Sequence, residues 1–230
     1  GMPVLEYDIT QGLSDDLKFY ADDLVFFGMP VYAGRVPALA AEILGKIKGR
    51  GTSAVVVCIY GNRDYDDALL ELKDICENND FKVIAAGAFV ARHSIFPQVA
   101  IDRPDDMDVQ KMKEFAQKCV DEKYIGGEFT GKLQVKGNHP YREPSKVPLV
   151  PKGNKKCNSC GTCVKKCPTD AISQDNPRKT NKERCISCAR CIAVCPAHAR
   201  QFGGLLYKLA SRKFVPANSA RKEPEMFFLD

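Results

Sequence analysis

The sequence predicts an α/β fold: an open parallel sheet with helices on both faces, followed by a small cysteine-rich α+β domain. Three observations carry this expectation. Short apolar runs alternate with helical stretches through the first 130 residues. Eight of the eleven cysteines then fall between positions 157 and 195, in two runs of identical spacing. Between the two regions lies a polar stretch punctuated by glycine and proline.

Residues 4–7 are a weak candidate for a first strand. Residues 24–27 and 54–59 are dense apolar runs, as strands buried on both faces should be, and residues 82–91 are a third. Leu39, Ile43 and Ile47 recur at helical spacing after Pro37. Ala68, Leu69, Leu72, Ile75 and Cys76 make the face of a second helix, with Asp64 as its expected cap. Val109, Met112, Phe115, Ala116, Cys119 and Val120 make a third, with Asp105 as cap. Alternation with short connections argues a parallel sheet. Cys58, Cys76 and Cys119 occupy apolar positions in these elements and read as small core residues.

Gly131, Gly137, Pro140, Pro144, Pro148 and Pro151 mark residues 131–152 as a partly extended connector. After residue 200, Phe202, Leu205, Leu206 and Leu209 suit an amphipathic helix. Met226, Phe227, Phe228 and Leu229 form an apolar end that is expected to pack back on its own protein. The expected organisation is therefore 1–130 α/β domain, 131–152 linker, 153–200 cysteine-rich domain and 201–230 tail.

The chain has 230 residues and a formal charge of +5. No run of eighteen apolar residues is present, so no membrane span or membrane partner is expected. The opening Gly1-Met2 reads as a tag remnant, no secretory leader is visible, and a cytoplasmic compartment is expected. Such a compartment keeps thiols reduced, which argues against disulfides. The positive charge falls to about +1 if eight thiolates surround two cluster cores. No nucleic-acid partner is expected.

The first cysteine run is Cys157, Cys160, Cys163 and Cys167, followed by Pro168. The second is Cys185, Cys188, Cys191 and Cys195, followed by Pro196. Both read C-x2-C-x2-C-x3-C-P. Two-residue gaps let one loop turn three thiolates toward a single iron–sulfur cube, while the fourth cysteine serves the other cube. The spacing predicts two [4Fe–4S] clusters, one on Cys157, Cys160, Cys163 and Cys195, the other on Cys185, Cys188, Cys191 and Cys167. The intervening Asn158-Ser159, Gly161-Thr162 and Ile186-Ser187 keep the backbone close enough to donate N–H groups. Ile172, Ile186, Ile192, Val164 and Val194 are expected to exclude water. A zinc ribbon would show C-x2-C pairs at a longer interval, four ligands to each metal. Over residues 153–200 the chain resembles the bacterial two-cluster ferredoxins, with every ligand position matched.

Two loops follow the strands on their carboxyl side, where doubly wound sheets bind ligands. They run from Gly28 to Pro37 and from Tyr60 to Tyr65. Residues 24–123 resemble the later part of a flavodoxin, whose flavin-facing loops fall here. The whole chain thus resembles the EFR1-type ferredoxins, in which a flavodoxin-like domain precedes a two-cluster ferredoxin domain. The resemblance implies an FMN site at Pro30, Val31, Tyr32 and Gly34 and at Gly61, Asn62, Arg63 and Tyr65. The chain departs from that pattern in lacking the first strand, the first helix and the Ser/Thr/Gly-rich phosphate loop between them.

The expected function is transfer of single electrons, with redox proteins as partners and no catalytic residue of its own. Two alternatives stay open. An iron–sulfur flavoprotein reductase would be an FMN-dependent oxidoreductase acting on a small substrate. A flavin-free docking module would target the ferredoxin part to a partner. His93, His139 and His198 have no metal-ligand spacing and read as structural or solvated.

Overall fold

The computed structural model describes residues 4–13, 17–121 and 131–229. The chain divides into two compact units, Gly1–Asp15 with Lys146–Ala210, and Asp16–Ser145 with Ser211–Asp230. Residues 131–145 thus belong with the sheet and 146–152 with the cysteines, and the end of the chain returns to the sheet.

In the sheet unit the order of elements is β1 (Leu24–Pro30), α1 (Ala38–Leu44), β2 (Thr52–Tyr60), α2 (Ala68–Glu77), β3 (Phe81–Val90) and α3 (Asp106–Cys119). The three strands are neighbours in chain order and pair in parallel, with Val25 beside Ala54 and Val56 beside Ala86. A fourth strand comes from the tail, which forms a helix and then the strand Glu225–Phe228. That strand pairs antiparallel with β3, Phe227 beside Ala86. The apolar tail therefore packs back, as expected from its sequence.

Central strands must bury both faces, and β2 and β3 do so almost completely. Val55, Ile84, Phe89, Phe115 and Cys119 form one core cluster, against which Phe228 packs. The Phe115 ring lies 5.5 Å from both Phe89 and Phe228. Helix α2 buries Ala68, Leu69, Leu72 and Cys76. Each buried leucine contributes about 1.5–3 kcal/mol. Burial pushes the Cys76 and Cys119 thiols up to about 12, as inert core residues should show.

Two local expectations are corrected. Residues 4–7 form no strand; Val4 and Leu5 are 87% and 79% exposed. Their alternation is too short to hold without a pairing partner. The following residues join the cysteine-rich unit instead, where Arg190 donates to Asp8 Oδ2 (3.0 Å) and Thr10 Oγ1 (3.2 Å). Asp64 does not cap α2 either; that position is Asp67, whose side chain makes no capping bond. The Asp64 carboxylate accepts from the Asp66 N–H two residues on, and this local turn delays the helix. Asp105 caps α3 as expected, in a reciprocal box with Asp108.

Among the described residues, strand β1 pairs with β2 alone, and Phe26 on it is 44% exposed.

The cysteine-rich unit contains β4 (Lys152–Gly153), α4 (Thr162–Lys165), α5 (Arg190–Ala193) and β5 (Arg200–Gln201), with β4 and β5 antiparallel. Helix α6 (Leu205–Ala217) and β6 (Glu225–Phe228) follow. Its backbone repeats at an offset of 28 residues. Ser159 and Ser187 share left-handed φ values of 61° and 57°, Gly161 and Ala189 of 75° and 60°, and Asp170 and His198 of 47° and 45°.

Candidate functional site

The repeated left-handed residues curl each cysteine run back on itself. Cys163, Cys185, Cys191 and Cys195 are buried and Cys160 is exposed, with Cys157, Cys167 and Cys188 between these extremes. Cys167, from the first run, lines one cavity with Cys185, Cys188 and Cys191 of the second. Ile172, Ala171 and Ile186 supply its apolar wall.

Electrostatics divides the thiols the same way. Burial pushes the Cys163 thiol up; Arg200 opposes this, and Cys195 and Cys157 are close enough to add to it. Burial likewise raises Cys188, with Cys167 and Cys185 adding to it. Cys191 is pushed up to about 11, mainly by burial, with Arg200 pulling it down and Cys188 and Cys185 pushing it up. One group thus contains Cys157, Cys163 and Cys195, the other Cys167, Cys185, Cys188 and Cys191. Each draws its last member from the opposite run. Cys160 differs: the Thr162 hydroxyl, 3.4 Å away, and the Thr162 N–H lower it.

Backbone donors face several of these sulfurs. The Ala171 N–H donates to Cys167 Sγ and the Ala199 N–H to Cys195 Sγ, both at 3.3 Å, and the Ser187 N–H to Cys185 Sγ at 3.4 Å. Such donors stabilise thiolate and tune a bound cluster. Among the described residues no three ligating side chains converge on one point. A cubane does not ask for that, because each of its four cysteines binds a different iron. Soft, clustered, partly desolvated thiols with N–H donors fit a [4Fe–4S] group.

The loops expected to face a flavin are engaged otherwise. Gly34 O accepts from the Asp67 N–H at 3.1 Å, and a side chain at Gly34 would collide with Asp66. Beside it, Arg35 forks onto Glu71 at 2.7 and 2.8 Å and stacks over Tyr141. Asn62 is 2% exposed, and its amide donates to the carbonyls of Asn218 and Ala220, each at 2.8 Å. Arg63 pairs with Asp66, and its carbonyl accepts from Lys222. Tyr65 is 1% exposed and donates to Glu225. Gly61 lies against the His93 ring. Pro30 is exposed, and Val31 and Tyr32 are half-buried. Gly34, Asn62, Arg63 and Tyr65 are thus held by partners inside the chain.

His93 is structural: its Nδ1 accepts from the Ile95 and Phe96 N–H groups at 3.1 Å, and its ring lies 4.9 Å from Phe214. Burial lowers it to about 4, with Arg63 adding to the effect. His139 meets Asp74 at 2.7 Å.

Sequence reasoning missed two features. The tail residues that hold the 61–65 loop are separated from it by some 160 residues. Arg200 is the other, and its signal was available: it stands 28 residues after Ile172, where the repeat calls for an apolar side chain.

Residues 156–200 match the 4Fe-4S dicluster domain family. No curated protein matches the chain. The cysteine-rich unit therefore contains a ferredoxin-like iron–sulfur domain, and iron–sulfur electron transfer is the activity this supports. Among the described residues no helix is long and apolar enough to cross a membrane.

Proposed function

We propose that the protein is an electron carrier with two [4Fe–4S] clusters, one held by Cys157, Cys160, Cys163 and Cys195, the other by Cys185, Cys188, Cys191 and Cys167. The observation that carries this reading is the crossing of Cys167 into the cavity of the second run. A zinc site built from adjacent C-x2-C pairs gives no reason for that exchange.

Each cluster, when bound, accepts and returns one electron. The chain's own residues set where and how readily this happens. Val164, Ile172 and Ile192 pack beside Cys163 and Cys191 and exclude water. The N–H groups of Ala171, Ala199 and Ser187 stabilise negative charge on the ligand sulfurs. The exposed Cys160 brings one group to the surface, where a redox partner can reach it.

The flavodoxin-like unit acts in this reading as a flavin-free docking module. The commitment of Asn62 and Tyr65 to the tail favours that over FMN exchange, and over an FMN-dependent reductase. The lysines suggest the kind of partner. Residues 146–210 carry thirteen Lys and Arg against three Asp and Glu. Lys155, Lys156, Lys165 and Lys166 are all exposed beside the first run. An acidic redox protein suits that surface.

Anaerobic purification followed by iron, sulfide and flavin analysis tests the reading. Roughly eight irons and eight sulfides per chain without flavin support it. Stoichiometric FMN overturns the flavin-free part, and a single bound zinc overturns the whole.

A further inference from the structure

One buried position breaks the 28-residue repeat of the cysteine-rich unit. The first half has Ile172 there, 5% exposed; the second has Arg200, 3% exposed. Ile172 packs against Cys163 and Cys191, as an apolar wall should. Arg200 brings a permanent positive charge to the equivalent place.

The guanidinium is only partly satisfied by protein atoms. One terminal nitrogen donates to the Pro177 carbonyl, and the other to the Pro151 carbonyl (2.9 Å) and the Thr180 hydroxyl. All three acceptors are neutral. Nε is shielded from solvent and has no acceptor. No carboxylate pairs with Arg200 among the described residues, although Arg190 and Arg184 in the same unit each have one. A buried cation without an anion is strongly unfavourable.

The groups that become anions on binding iron are the cysteine sulfurs. Ile172 packs against one cysteine of each group, Cys163 and Cys191, and the 28-residue repeat exchanges these two, so Arg200 stands where the same pair is faced from the other half. Cys163 belongs to one thiol group, Cys185 and Cys191 to the other.

We propose that Arg200 is a shared counter-cation for both clusters, with its free Nε–H directed at cluster sulfur. The inference rests on the two-cluster reading above. Reduction adds one electron from an external donor to a cluster that is already anionic with its thiolates; no bond forms or breaks, and Arg200 neither gains nor loses a proton. A fixed cation stabilises the more negative state, so Arg200 raises the reduction potential of both clusters. It is a positioning charge rather than a catalytic residue.

The test is an anaerobic redox titration of the full chain, followed by electron paramagnetic resonance, for wild type, R200Q, R200K and K179Q. Lys179 is exposed, so K179Q removes the same charge from solvent. The expected result is R200Q with wild-type iron and a reduction equilibrium at least tenfold less favourable at both clusters, which is about 59 mV each. R200K stays within about threefold of wild type, and K179Q within about twofold. Unmoved potentials in an iron-replete R200Q, or a shift at one cluster alone, overturn the proposal. If R200Q assembles no clusters, R200K decides: near-native potentials support a charge role, and a tenfold loss contradicts it. Wild type without clusters would defeat the two-cluster reading itself, a result distinct from intact clusters whose potentials ignore Arg200.

Discussion

Tyr65 donates its hydroxyl to Glu225 across 2.8 Å, tying the loop after β2 to a strand 160 residues farther along the chain. Tyr60 packs edge-on against the same ring at 5.4 Å, and Lys136 lies over it. Desolvation and the Glu225 carboxylate both hold the phenol protonated. The Asn62 amide holds the tail a few residues earlier. Together these contacts close the carboxyl side of β2 with the chain's own residues.

Tyr65→Phe keeps the packing and removes the donor, leaving Glu225 without this partner. A loss of about 1–2 kcal/mol is expected, read as a lower urea midpoint at unchanged slope. Unchanged stability would mean that the tail is not held by this bond.

Ala189 adopts the left-handed conformation that Gly161 adopts in the other half, φ 60° against 75°. That conformation costs a non-glycine residue about 1–2 kcal/mol, against which glycine loses roughly 0.4–1 kcal/mol of unfolded-state advantage. Ala189→Gly should therefore stabilise the holo protein by about 0.5–1 kcal/mol. Thermal unfolding under anaerobic conditions checks this; destabilisation would show that the Ala189 methyl packs usefully.

His93 gives the sheet unit a defined pH response. Its folded value is lowered from 6.5 to about 4 by burial, so between these values the unfolded chain binds a proton that the folded chain refuses. Stability from this group is full above pH 6.5 and is lost as pH falls toward 4, on the order of 2–3 kcal/mol in all. His93→Asn can still accept the Ile95 or Phe96 N–H and cannot titrate. The difference in urea midpoint between wild type and variant should shrink or reverse as pH falls from 7 to 4.5. A difference independent of pH would contradict the assignment.

The lysines beside the first run predict the sign of a kinetic salt effect. Electron transfer from the reduced protein to an acidic flavodoxin should slow by roughly tenfold as ionic strength rises from low to high. Transfer to basic cytochrome c should not slow. Lys156→Glu with Lys165→Glu should weaken the first dependence. Acceleration with salt toward the acidic acceptor would point to a different docking face.

The sequence disclosed the parts whose periodicity is local. The runs of β2 and β3, the Asp105 cap of α3 and the two cysteine motifs are read within windows of a dozen residues. Cys58, Cys76 and Cys119 were recognisable as core from their apolar neighbours, and all three are buried. What was illegible depends on distance along the chain. Nothing near Asn62 announces that its amide will bind the carbonyls of Asn218 and Ala220. Nothing in residues 4–7 tells that Asp8 will pair with Arg190 rather than extend a sheet. Loop position cannot reveal that the tail holds the side chains of Asn62 and Tyr65. The cysteine spacing already aligned Arg200 with Ile172, but its burial and its unpartnered Nε are visible only in the folded chain.

The crossed two-cluster site is tested most directly by counting iron and acid-labile sulfide in anaerobically purified wild type and Cys167→Ala, with resonance spectra of the dithionite-reduced samples. Cys167 comes from the first run and lines the cavity of the second. The predicted result is about eight irons in wild type and about four in Cys167→Ala. The surviving signal should be the one lost in Cys160→Ala. Iron unchanged in Cys167→Ala, or loss of the same signal in both variants, would contradict the crossed arrangement.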